Sequence, residues 1–161
     1  MPSIYSGSQS LWMALRSSLK FNLEKIKTSD GFNSSLGDYF DDPPQNLNQI
    51  QNFPAIVTVF KEEKAVAESN DTVSCVLPIS LYVHVMEGSS PSLLISQIKA
   101  DIQYIIGNYW QLPNENGVAC CDLIQYVGAL PFARINSLPQ CGVLIKLQAE
   151  YRYLLHDPSS N

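Results

Sequence analysis

Apolar and polar residues alternate over two long stretches of this chain. In the first, Thr72 to Met86, Val73, Cys75, Leu77, Ile79, Leu81, Val83 and Val85 share one face, and Ser74, Val76, Pro78, Ser80, Tyr82 and His84 share the other. In the second, Val143 to Leu155, Val143, Ile145, Leu147, Ala149, Tyr151, Tyr153 and Leu155 alternate with Lys146, Gln148, Glu150 and Arg152, which lie beside Leu144 and Leu154. A period of two predicts a strand with one buried and one wet face. At about 3.3 Å per residue, the second stretch spans roughly 43 Å, about twice the usual strand length. Two explanations fit. Either the strand outruns its domain and pairs outside it, because unpaired backbone groups invite association, or it is bent or bulged within an ordinary sheet. Two such strands in one chain make an accident of length less credible. Pro78 has no N–H and is expected at an edge position or a bulge.

Period-3.6 patterning predicts two helices. Leu11, Leu15, Leu19, Leu23 and Ile26 form a stripe within Ser8–Lys27, with Trp12 beside them. Ser8 or Ser10 suits the N-cap, Lys25 and Lys27 suit the C-terminal dipole, and Ser29-Asp30-Gly31 is expected to end the helix. Ser90-Pro91 opens the second helix, striped by Leu94, Ile98, Ile102 and Ile105 and widened by Leu93 and Ile106, with Gly107-Asn108 at its end. Shorter strands are expected over Leu36–Phe40, Ala55–Phe60 and Val118–Val127. Lys61 to Asn70 reads as a turn or arm, Leu112–Gly117 as a turn, and Pro131–Cys141 as a loop carrying Arg134. Helix, strands, helix, strands in this order predict one α+β domain over residues 1–161, mainly an antiparallel sheet with two principal helices packed on one face. Residues 1–7 and 157–161 are expected as flexible ends. The predicted core includes Leu15, Leu19, Val83, Ile98, Ile102 and Leu147.

Composition narrows the function. Charged residues make up only 16% of the chain and the net charge is −5, which argues against a basic phosphate-gripping surface. Few charges among many Tyr, Asn, Gln and Ser suggest a surface that meets protein as well as water. The opening MPSIYSGSQS has neither the basic nor the apolar region of a leader, and no run approaches a membrane span. Cys75, Cys120, Cys121 and Cys141 lack C-x-x-C spacing and are read as reduced, buried thiols. Asp38, Asp41 and Asp42 lack the Gly and distal Glu of a calcium loop and are read as a solvated loop.

Catalytic signatures are missing. His84 and His156 lie in no G-x-S-x-G or H-E-x-x-H context, and no phosphate-binding glycine loop occurs. Asp101 and Glu115 are an acid–base pair in name only without a pocket around them. Neither an enzyme nor a cofactor is expected.

Taken together, the N-terminal helix, the GFNSSLGDY segment at Gly31–Tyr39, FPAIVTVF at Phe53–Phe60, the long alternating strand, the helix with Lys99-Ala100-Asp101-Ile102, and EYRYLLHDP at Glu150–Pro158 resemble the tail terminator (tail completion) proteins of tailed bacteriophages. The resemblance covers roughly Leu11 to Pro158. It implies a virion structural protein made in the host cytoplasm, forming a homo-oligomeric ring, usually sixfold, that caps the tail tube and stops its polymerisation. Its partners would be further copies of itself, the tail tube protein, a neck connector and, in a contractile tail, the sheath. DNA would pass through without sequence-specific binding, and no membrane or cofactor is implied. In such a ring a sheet lines the channel. The candidate lining residues are Lys146, Gln148, Glu150, Arg152, Ser80, Tyr82 and His84. For the charges at 146, 150 and 152, inter-subunit ion pairs and plain solvated positions fit as well as lining. Another neck component (head–tail connector or adaptor) is the alternative, with a small cytosolic enzyme behind it.

Overall fold

The computed structural model describes residues 11–86, 90–132 and 140–154. The expected caps Ser8 and Ser10, the flexible ends, Arg134, Leu155 and His156-Asp157-Pro158 lie outside these residues. The elements follow as α1 (Leu11–Leu23), β1 (Tyr39–Phe40), β2 (Ala55–Phe60), β3 (Lys64–Glu68), β4 (Thr72–Met86), α2 (Pro91–Asn108), β5 (Leu123–Phe132) and β6 (Gln140–Leu154). The fold is α+β. One six-stranded sheet has the order β1-β2-β4-β6-β5, with β3 also paired to β4. Among the described strand pairs, only β1–β2 is parallel.

Alternation dictates the two layers. Leu77, Ile79, Leu81 and Val83 of β4 lie beside Ala149, Leu147, Ile145 and Val143 of β6, and all eight are buried under the helices. Leu15 and Leu19 of α1 and Ile98 and Ile102 of α2 close the same core. The six residues expected inside are each at most 1% exposed. Burying side chains of this size stabilises the fold by about 1.5–3 kcal/mol each before conformational entropy is subtracted.

Pro78 sits inside the central strand. Its carbonyl accepts from the Lys61 N–H at 2.9 Å, so its missing donor faces the same side, between the end of β2 at Phe60↔Ile79 and the start of β3 at Lys64↔Val76. It occupies a local edge within a paired strand, where no ladder bond is lost.

Several boundaries differ from the pattern-based expectation. α1 ends at Leu23 rather than running to Lys27, because its last turn tightens to i−3 bonds, Lys25 N–H to Asn22 and Ile26 N–H to Leu23. Ile26 is buried from the turn that follows. The segment Thr28–Asp30 is a separate 3-10 turn closed by Gly31 at φ 89°, a left-handed position that favours glycine. The expected Leu36–Phe40 strand shrinks to Tyr39–Phe40. The Lys61–Asn70 arm contains β3, which covers the outer edge of β4. The strand expected at Val118–Val127 runs instead from Leu123 to Phe132, because the Cys120 and Cys121 N–H groups are held by the Gln111 carbonyl. Leu93 and Leu94 are 56% and 42% exposed; α2 meets the core only from Ile95 onward.

Candidate functional site

The face of the sheet opposite the helices carries the seven candidate residues. Cross-strand register sets Ser80 beside Lys146, Pro78 beside Gln148, Val76 beside Glu150, and Ser74 beside Arg152. On the far side of β6, Gln125 lies beside Gln148 and Leu123 beside Glu150. Lys146 is exposed, whereas Gln148, Glu150 and Arg152 are half-buried. The Gln148 amide donates to Glu150 Oε1 at 3.5 Å. Arg152 Nε donates to Asp122 Oδ2 at 2.9 Å, so Arg152 has an ion-pair partner within its own chain. No local pattern announces Asp122, thirty residues upstream in a bend before β5.

The other end of this face is covered. His84 is 3% exposed and Ser80 7%. The Phe132 ring packs on His84 at 5.3 Å and on Tyr82 at 6.4 Å between centroids. Beside Tyr82, Ile50, Ala55 and Val57 form a second small core with Leu47 and Phe53 packed on it. The seven candidates therefore divide. Lys146, Gln148, Glu150 and Arg152 present accessible polar surface, Tyr82 is half-buried at the margin, and Ser80 and His84 lie beneath the surface. Gly142 makes this packing possible, since a side chain there would collide with the Val83 carbonyl and the Phe132 ring.

The acidic candidates resolve into structural roles. Asp101, buried in α2, accepts from the Asn33 N–H and amide at 3.0 and 2.9 Å and from the Ser34 N–H and hydroxyl at 2.8 and 2.5 Å. It fixes the segment after α1 onto α2. Glu115 lies exposed in the turn before β5. Asp38 accepts from Gln51 N–H, Asn52 N–H and the Asn52 amide, and these bonds, led by the Asn52 side chain, hold its carboxyl below the ordinary value. The Arg16 guanidinium binds the Asp41 carbonyl and the Asp42 carboxylate. Among the described residues, no group of three or more His, Cys, Asp or Glu is placed to hold a metal ion.

A buried-edge cluster had no sequence signal. Trp12 Nε1 donates to Glu63 Oε2 at 2.7 Å and to Tyr151 Oη at 2.8 Å, and the Tyr151 hydroxyl donates to the same Glu63 oxygen. This joins α1, β6 and the β2–β3 connection. Burial, with Glu63 nearby, pushes the Cys75 thiol up to about 12. Cys120 Sγ accepts from Ser18 Oγ at 2.8 Å, and burial raises the Cys120 and Cys121 thiols as well. Thiols so held are poor nucleophiles.

No described helix is long and apolar enough to cross a membrane. No protein-family model matches the chain, and no curated protein matches it.

Proposed function

We propose that this chain is a structural subunit of a phage tail, a terminator that closes into a ring on the tail tube and leaves a channel for DNA. On this reading it resides in the virion, and it works by assembly rather than by turning over a substrate. The observation that supports it best is the helix-free face of the β4–β6 ladder, which is only partly covered; the two long strands pair with each other over fifteen residues from Thr72↔Leu154 to Met86↔Gln140, so their length by itself calls for no partner outside the chain. Along the uncovered part, Lys146 and Arg152 mix with Glu150 and Gln148. Such a wall gives DNA no continuous cationic surface to grip. The sequence resemblance supplies the sixfold symmetry and the partners: tail tube, neck connector and, for a contractile tail, sheath.

Size exclusion with light scattering tests the ring, alone and with tail tube protein, alongside electron microscopy of tube ends. Rings in solution, or caps on tube ends with growth arrested, are expected. A chain that stays monomeric at high concentration and leaves tube ends bare would refute the proposal.

A further inference from the structure

The short strand β3 is joined to its neighbours by one interrupted ladder and one carboxylate. We propose that residues 61–71 form a strap that lifts from and closes on the outer edge of β4 as a unit, with Glu63 as its clasp. This device goes beyond the ring proposed above and does not depend on it.

All five residues of β3 are exposed, and Val66, its one large apolar residue, is 63% exposed. Val66 is also unpaired in the ladder, because the register shifts between Ala65 and Ala67. The pairs Lys64↔Val76, Ala65↔Cys75, Ala67↔Ser74 and Glu68↔Val73 make up the whole contact with β4 strand to strand. Neither Lys64 nor Glu68 forms an ion pair among the described residues. Segments that open ahead of the rest of a fold are those that bury little apolar surface, and β3 has no buried side chain.

Glu63, just before β3, is half-buried. Its Oε2 accepts from Trp12 Nε1 at 2.7 Å and from the Tyr151 hydroxyl, and Trp12 packs on Phe60 with ring centroids 5.8 Å apart. Bonds to a carboxylate are roughly twice as strong as neutral ones, so Glu63 ties the strap to α1 and β6. The rest of the sheet does not move with it. β6 pairs with β4 from residue 72 to 86, and β2 reaches only to Phe60↔Ile79. Between β2 and β3, Pro78 offers the strap a carbonyl, taken by the Lys61 N–H, but no donor. The chain is long enough to lift. From Phe60 to Thr72 it can reach about 40 Å, against about 23 Å along β4 from Ile79 to Thr72. Closed, the strap covers the Val73–Val76 edge and places a charge at each end of the strand that does so. Open, it bares that edge for backbone pairing while the ladder to β6 and the core stay intact.

Peptide-resolved amide hydrogen exchange on the full chain tests this, in the wild type and in Glu63→Ala and Trp12→Phe. In the wild type, residues 64–68 should be protected, yet exchange at least about tenfold faster than residues 79–84 and 143–149. Each variant should speed residues 64–68 by about a further tenfold and leave 143–149 unchanged. The double variant should add little to either single one, because both remove the same bond. Residues 64–68 that exchange in the wild type in step with 79–84, or as fast as an unstructured peptide, would overturn the strap, and this arm needs no variant to fold. Variants that leave 64–68 unchanged, or that speed every strand alike, would overturn the clasp.

Discussion

One carboxylate oxygen of Asp101, in the middle of α2, accepts both the backbone N–H and the hydroxyl of Ser34. The pair are 67 residues apart in sequence, and both are buried. Asp101→Ala leaves the Ser34 donors without a partner away from water, at a cost of about 2–4 kcal/mol. Asp101→Asn should cost less, because one acceptor oxygen remains. Urea unfolding of the two variants measures the difference, and wild-type stability in Asp101→Ala would mean the bonds are not formed in solution.

The helix–sheet core makes a second prediction. Leu19 and Ile102 are fully buried, so truncation to Ala removes apolar contacts and leaves a cavity, costing about 2–5 kcal/mol each. Thermal unfolding checks this. A negligible shift for both would mean that α1 and α2 do not pack on the sheet as described.

Asp38 predicts a pH dependence. Its carboxyl is lowered from 3.8, chiefly by the Asn52 side chain and also by the Gln51 N–H. A lowered folded-state value means the charged form favours the fold. Its contribution is complete above the unfolded value and is lost as pH falls through the folded one. The melting temperature of the wild type should therefore drop more steeply below about pH 4 than that of Asp38→Asn. Parallel acid limbs in the two proteins would exclude this contribution.

The proposed channel face makes a functional prediction. Replacing Gln148 and Glu150 with Lys adds three units of positive charge per subunit, about eighteen around a sixfold ring, and salt screens such charges only beyond about 8–10 Å. Virions carrying the double variant should assemble with normal tail length and retain or eject DNA abnormally. Normal ejection with assembly intact would move this face off the lumen. His84→Ala should alter infectivity only as far as it alters folding, since the ring is buried beneath Phe132.

The parts of the fold written in local periodicity were legible. β2 and β4 coincide with the stretches expected as strands, and in β4 burial alternates with the apolar positions from Thr72 to Ile79 before Ser80 and His84 break the pattern. What was not legible depends on distant partners. KAVAE has no buried position and is a strand only because the outer edge of β4 accepts it. β5 was displaced because the expected strand stopped at Val127 and Pro131 read as the start of a loop, whereas the bulge after Tyr126 and the outer edge carry the strand on to Phe132. The candidate face was found by its polar alternation, but its covering was not. His84 and Ser80 share the periodicity of Lys146 and Glu150, and only the return of Phe132 and the 43–50 segment separates the buried half from the accessible half.

The placement of Pro78 bears on how the protein tolerates changes in length. β6 fixes the register of β4 from residue 72 to 86, while the other side of β4 changes partner at a proline that has no N–H to contribute. Residues added at the exposed Asn70–Asp71 tip therefore enlarge only the hairpin and leave the long ladder undisturbed. That tip is the natural place to graft an epitope or a fluorophore for following individual subunits.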